Sequence, residues 1–198
     1  MTVKKDYSII NKKFDERFDY MTAKHNKVTF FRFDVRYPED HPHDGTNRDF
    51  SELLKQLKEP LTKIGNEMHY AWCREKETSE NPHYHVAILL NGSYTQRVDG
   101  ILQNANGIWG NIVGSPKKGL IDYCNRFSGE RVAKQIRIDR PSSKKEGEEL
   151  AQQQQEFEAN KVAVRVRAHY LGKSDQKGDV PKRVREYGAS ELPKAGKR

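Results

Sequence analysis

The segment Asn81-Pro82-His83-Tyr84-His85-Val86-Ala87-Ile88-Leu89-Leu90-Asn91 constrains the fold more than any other. Its apolar run has strand length and lies between Asn-Pro and Asn91-Gly92, the punctuation of a buried strand between turns. This predicts a strand over 83–90. Alternation along it puts His83 and His85 on one sheet face and Tyr84, Val86, Ile88 and Leu90 on the other. Two imidazoles then converge on one point.

The preceding stretch, Met68 to Glu77, reads as a neighbouring strand that ends in carboxylates, joined to the first by the polar loop 78–82. Glu75 or Glu77 can therefore come up beside the histidines. Two neutral imidazoles and one carboxylate suit a divalent ion such as Mn²⁺, Mg²⁺ or Zn²⁺, with coordination positions left open for substrate. The plainer reading, two histidines hydrogen-bonded on a half-exposed sheet face, stands beside it. A second pair, His41 and His43, is flanked by turn residues, so nothing aims those rings at a common point.

The rest of the chain supplies a sheet and its cover. Phe14, Phe18 and Met21 recur at helical spacing within 11–24. Residues 28–37 are dense in aromatic and β-branched residues and stop at Pro38, as a strand does. Its alternation sets Phe31, Phe33, Val35 and Tyr37 against Arg32, Asp34 and Arg36, so one face carries charge that a sheet would bury or dedicate to a ligand. A broad apolar stripe from Phe50 to Ile64 predicts a helix, with a kink expected at Pro60. A shorter helix fits 97–112, and strand-like pieces lie at 120–124 and 132–138. Residues 142–160, rich in Gln, Glu, Ser and Lys, read as a solvated helix or a mobile insertion. Apolar spacing resumes at Val162 and runs to Tyr170-Leu171-Gly172-Lys173, where Tyr170 and Lys173 share a face if the segment is helical.

Composition narrows the setting. The chain has 198 residues, enough for one well-packed domain, and a formal net charge of +8. That excess favours a polyanionic partner, and Arg32, Arg36, Lys182, Arg183 and Arg185 are candidate phosphate contacts, with solvated surface an equal reading for each. Cys73 and Cys124 are too few for a disulfide scaffold and form no CxxC pair, which suits a reducing cytoplasm. No apolar stretch approaches ~20 residues, so no membrane association is expected.

Taken in order, the charged strand Phe31–Arg36, the pair His83-Tyr84-His85 with an upstream Glu, and Tyr170-Leu171-Gly172-Lys173 resemble the HUH endonucleases. These are single-strand nicking enzymes of rolling-circle replication. The spelling of residues 83–92, 169–174 and 185–190 is more specifically similar to the replication proteins of filamentous phages and the YagK/YfjJ-type domains of prophages. The pattern departs from the family at Tyr84, which stands where an aliphatic residue is usual, and one tyrosine only occupies the downstream motif.

The resemblance implies an α+β fold: a central antiparallel sheet of about five strands in a split βαβ, ferredoxin-like arrangement, with helices packed on it. It implies an endonuclease domain, placed over 1–180 with a polar insertion near 142–160 that has no counterpart in the family pattern, and the basic composition beyond it reads as a tail over 181–198. It also implies a site-specific single-stranded DNA endonuclease and ligase acting at a replication origin or origin hairpin in the cytoplasm, the host's if the chain is phage-encoded. A host helicase is a candidate further partner. His83, His85 and Glu75 would hold Mn²⁺ or Mg²⁺, Tyr170 would attack to give a 5′-phosphotyrosine, and Lys173 would assist. Tyr123 competes as nucleophile, although Arg126 stands where the motif has Lys. A relaxase, a single-tyrosine transposase and a DNA-binding regulator without catalysis are the other readings.

Overall fold

The computed structural model describes residues 8–75, 81–115, 120–173 and 181–194. Helix α1 (Ser8–Lys24) leads into strand β1 (Lys27–Arg36), and helix α2 (Arg48–Lys63) continues through Pro60. Strands β2 (Met68–Glu75) and β3 (His83–Asn91) follow, then helix α3 (Asp99–Ile112) and the short strand β4 (Ile121–Asp122). A small hairpin of β5 (Arg126–Phe127) and β6 (Glu130–Arg131) precedes β7 (Gln135–Asp139). Helix α4 (Gly147–Ala168) runs into a 3₁₀ turn over His169–Gly172, and β8 (Tyr187–Ala189) ends the fold.

The sheet is antiparallel in the order β4-β1-β3-β2-β8, with β7 sharing the outer edge of β1 with β4. Within it, β1-α2-β2 is a split βαβ unit with β3 inserted between its strands, and α3 leads on to β4 as in a ferredoxin-like arrangement. The expected fold class is therefore the observed one. Two layers of helix cover the sheet. On one face, Phe31, Phe33, Val35, Tyr84, Val86, Ile88 and Leu90 pack with Phe50, Leu53 and Leu57 of α2 and Leu102 and Trp109 of α3. Tyr84 is fully buried there, with its ring stacked 4.0 Å from that of Phe50 and its hydroxyl donating to Asn47 Oδ1 at 3.0 Å. An aromatic at this position is thus satisfied at both its apolar body and its polar tip.

On the opposite face, Phe30, Ala71, Cys73, Ala87 and Leu89 meet Ile10, Phe14, Phe18 and Met21 of α1 and Val164, Ala168 and Leu171 at the end of α4. Burying each large side chain contributes about 1.5–3 kcal/mol. The polar segment is not a mobile insertion: residues 147–160 form the first turns of α4, where Phe157 alone of the apolar side chains packs partly against the core, and the fully buried residues, Val164, Arg167 and Ala168, lie near the C-terminus. The expected tail over 181–198 is also corrected. Tyr187–Ala189 pairs with Ala71–Cys73 as an edge strand, and Gly188 allows its backbone to lie against the Trp72 indole, where a Cβ would come within 2.7 Å of Nε1.

Candidate active site

Register builds the site. β3 lies between β1 and β2, with Asp34 opposite His85 on one side and Glu75 opposite His83 on the other. All four side chains belong to the α1/α4 face by the period of two. His85 Nε2 stands 2.8 Å from Glu75 Oε2, and His83 Nε2 stands 3.3 Å from the same oxygen. His85 Nδ1 is 2.6 Å from Asp34 Oδ1. Glu75 and His85 are buried, whereas His83 is partly open to solvent.

Two carboxylates at such a site call for positive charge. Burial pulls the His85 imidazole down, but its contacts with Asp34 and Glu75 outweigh that and hold it at about 9. Burial would raise Asp34, yet His85, Arg32 and a hydrogen bond from Cys124 Sγ at 3.2 Å keep its carboxyl below the ordinary range. A divalent cation fits the same need. Glu75, His83 and His85 each offer one donor atom, and these atoms lie within 4.8 Å of one another. Asp34 beside Nδ1, in the place of the usual outer partner of a metal-bound histidine, would orient the His85 ring with Nε2 turned towards Glu75 and the shared donor position.

Tyr170 arrives from the end of α4. Its ring centroid is 5.6 Å from that of His85 in an edge-to-face arrangement. The Arg32 guanidinium lies 4.6 Å from the ring centre and Lys173 Nζ 4.5 Å from it. Burial and the Glu75 carboxylate push the phenol above its usual range, while Arg32 pulls the other way. The 3₁₀ turn that carries Tyr170 is docked on α1. His169 Nε2 lies 3.0 Å from Asp15, Arg165 Nη2 bonds Asp19 Oδ1 at 2.6 Å, and Leu171 is fully buried. Gly172 sits so close to Asn11 that a Cβ would come within 2.6 Å of its amide.

The chain that carries this face matches a family model. It is that of the YagK/YfjJ C-terminal domain, and it covers residues 2–190. The chain belongs to this family. No curated protein and no solved structure matches the chain.

Other expected residues of this family member fall into distinct places. Glu77 lies outside the described residues; among the described residues, Glu75 is the carboxylate grouped with both histidines. Arg32 is not a surface phosphate contact: it is 4% exposed, donates from Nη1 to the Arg167 carbonyl at 3.0 Å and lies beneath Tyr170. Arg36 is exposed at the end of β1, opposite His83. Lys182, Arg183 and Arg185 are exposed, and the two arginines line a cavity of about 650 Å³ with Trp72, Tyr70 and the start of α2, on the other side of the sheet from His85. Tyr123 packs against the α2/α3 core, with Lys134 Nζ 5.5 Å from its ring centre. His41 and His43 pack around the Tyr37 ring, so both serve the loop.

Three residues at the site carried no role in the sequence reading. Asp34 was visible as a charge on the ligand face of its strand, and pairing to β3 is the signal that assigns it to His85. Cys124 reaches Asp34 from the segment after β4. Arg167 donates to the carbonyls of Ala133 and Cys124, which fixes that segment against α4.

Proposed function

We propose that the chain is a site-specific single-stranded DNA endonuclease and ligase of replication initiation, with Tyr170 as nucleophile. The observation that carries this reading is the Tyr170 ring set against His85, between two cations and beside a two-histidine, one-carboxylate donor set.

In the step proposed, Tyr170 Oη bonds to phosphorus as the bond from phosphorus to the 3′ oxygen breaks. The phenol loses its proton and the 3′ oxygen gains one, leaving a 5′-phosphotyrosine and a free 3′-OH. A phenol oxygen suits this because it attacks and can also leave, so the bond energy is kept for rejoining. Glu75, His83 and His85 would hold the divalent ion, Mn²⁺ or Mg²⁺, with Asp34 fixing the His85 ring. An ion held there would supply Lewis-acid polarisation of a phosphate oxygen. Arg32 and Lys173 flank the phenol ring and favour the phenolate, as nucleophile in cleavage and as leaving group in rejoining.

The net charge of +8 suits a DNA partner. Among the described residues no helix is long and apolar enough to cross a membrane, and the proposed setting is the cytoplasm where origin DNA is copied.

The test is incubation with labelled single-stranded origin DNA and Mn²⁺, followed by a denaturing gel. A covalent adduct is expected, absent with Tyr170→Phe. Binding without an adduct, whichever metal is supplied, would replace this reading with a DNA-binding regulator that does not cut.

A further inference from the structure

Beside the tyrosine lies a second cavity, of about 370 Å³, between the Tyr170 turn and the β5–β6 hairpin. Its volume is in the range of pockets that take a small organic ligand. Its wall is sorted by charge and exposure. Arg126 and Lys173 are exposed, Phe127 and Asn125 are half-buried, and Arg32 with Asp34 is sunk beneath Tyr170. The buried pair neutralises itself, since Arg32 Nη2 lies 3.6 Å from Asp34 Oδ1. Among the exposed members of the wall, Arg126 and Lys173 outnumber one carboxylate, Asp122, which accepts from Cys124 N at 3.0 Å, and the half-buried Phe127 and Asn125 add an aromatic ring and a side-chain amide.

We infer that this cavity is a nucleotide subsite, which holds the nucleotide adjoining the scissile phosphate. Its base would stack on Phe127, and its phosphates would meet Arg126 and Lys173. The inference rests on the proposed nicking function and deepens it, because a phosphate under attack by Tyr170 must have a neighbouring nucleotide, and this cavity is bounded by Tyr170 itself. Each part has a chemical reason. Every base offers a π-face to an aromatic ring, an arginine pairs with phosphate by a fork of donors, and the Asn125 amide has both a donor and an acceptor for a base edge. The hairpin is held independently of any ligand: Val132 N donates to the Asn125 carbonyl, and Arg167 ties the Cys124 and Ala133 carbonyls to α4. Phe127 is thus presented on a fixed ribbon.

A titration that involves no bond cleavage tests the subsite separately from the covalent-adduct assay. Thymidine 3′,5′-bisphosphate is added to the ¹⁵N-labelled full chain in EDTA, and amide shifts are followed for the wild type, Phe127→Ala, Phe127→Tyr and Arg126→Gln. Saturable shifts are expected at residues 124–129. Affinity should fall on the order of tenfold in Phe127→Ala, return in Phe127→Tyr, and lose part of its salt dependence in Arg126→Gln. Shifts confined to residues 183–185, equal affinity in Phe127→Ala and wild type, or no saturable shift would each overturn the subsite. A Tyr170 adduct found together with any of those three results would leave the nicking function standing and remove this inference alone.

Discussion

Two clusters on the α1/α4 face contain one glutamate and two histidines each, and they have opposite characters. At the start of β2, Glu67 takes contacts from His25 Nε2 at 2.8 Å, His69 Nε2 at 3.2 Å, Lys24 Nζ at 3.0 Å and the Tyr20 hydroxyl at 2.9 Å. At the end of the same strand, about 26 Å away along an extended chain, Glu75 faces His83 and His85. Glu67 is saturated by donors from α1 and the turn after it, including a lysine that neutralises it. Glu75 shares one oxygen between two imidazoles that are also positioned as ligands, beside a cavity and a tyrosine. Residue type alone does not make a site. What distinguishes the two is the company of the carboxylate: Glu67 meets an ammonium and a phenol besides its histidines, whereas Glu75 meets two imidazoles beside the Tyr170 ring.

The largest difference should appear in metal binding. Glu75→Gln or His83→Ala should lower Mn²⁺ affinity by at least about a hundredfold and abolish the adduct, because each removes a proposed ligand. Glu67→Gln should leave both unchanged. Calorimetric titration with Mn²⁺ measures this, and equal loss in the two glutamate variants would erase the distinction. Asp34→Asn should cost less, about 10–100-fold in affinity, the usual effect of removing the outer partner of a ligating histidine.

Stability should show the reverse. Burial would raise the Glu67 carboxyl, but its hydrogen bonds with His25, Lys24, Tyr20 and His69 outweigh this and hold it at about 2, below the ordinary 4.5. Ionised Glu67 therefore stabilises the fold above about pH 4.5, and that contribution is lost as the pH falls from 4.5 towards 2. Urea unfolding at pH 7 and at pH 3 should show Glu67→Gln destabilised by about 1 kcal/mol at pH 7, because solvent screens a partly exposed carboxylate, with a smaller difference at pH 3. A constant difference across that range would mean that the Glu67 charge is not what these contacts hold.

The smallest effect expected is positional. Gly172→Ala must displace the Asn11 side chain and with it the turn carrying Tyr170. Adduct formation should slow by about tenfold to a hundredfold with Mn²⁺ affinity unchanged, since a small misplacement of a reacting group is costly. An unaltered rate would show that the turn has slack.

Much of this was legible in sequence because the period of two is unforgiving. The alternation in 83–90 separated His83 and His85 from Tyr84 and Val86, and the alternation in 28–37 separated Arg32 and Asp34 from Phe31 and Phe33, as the two cores confirm. Long-range registry was not legible. Nothing local in the charged strand says that Asp34 pairs opposite His85 or that Arg32 ends beneath Tyr170. Tyr187–Ala189 was hidden for another reason: three residues are too few to show alternation, and their place is set by the free edge of β2. The first turns of α4 gave no apolar stripe because they pack on little of the body.

The most direct measurement is peptide mapping of the protein–DNA adduct formed with single-stranded origin DNA and Mn²⁺. The nucleotide should be found on the peptide containing Tyr170, with no adduct from Tyr170→Phe even though that variant binds metal and DNA normally. Modification of Tyr123 instead, or an adduct that persists in Tyr170→Phe, would contradict the assignment of chemistry to this face of the sheet.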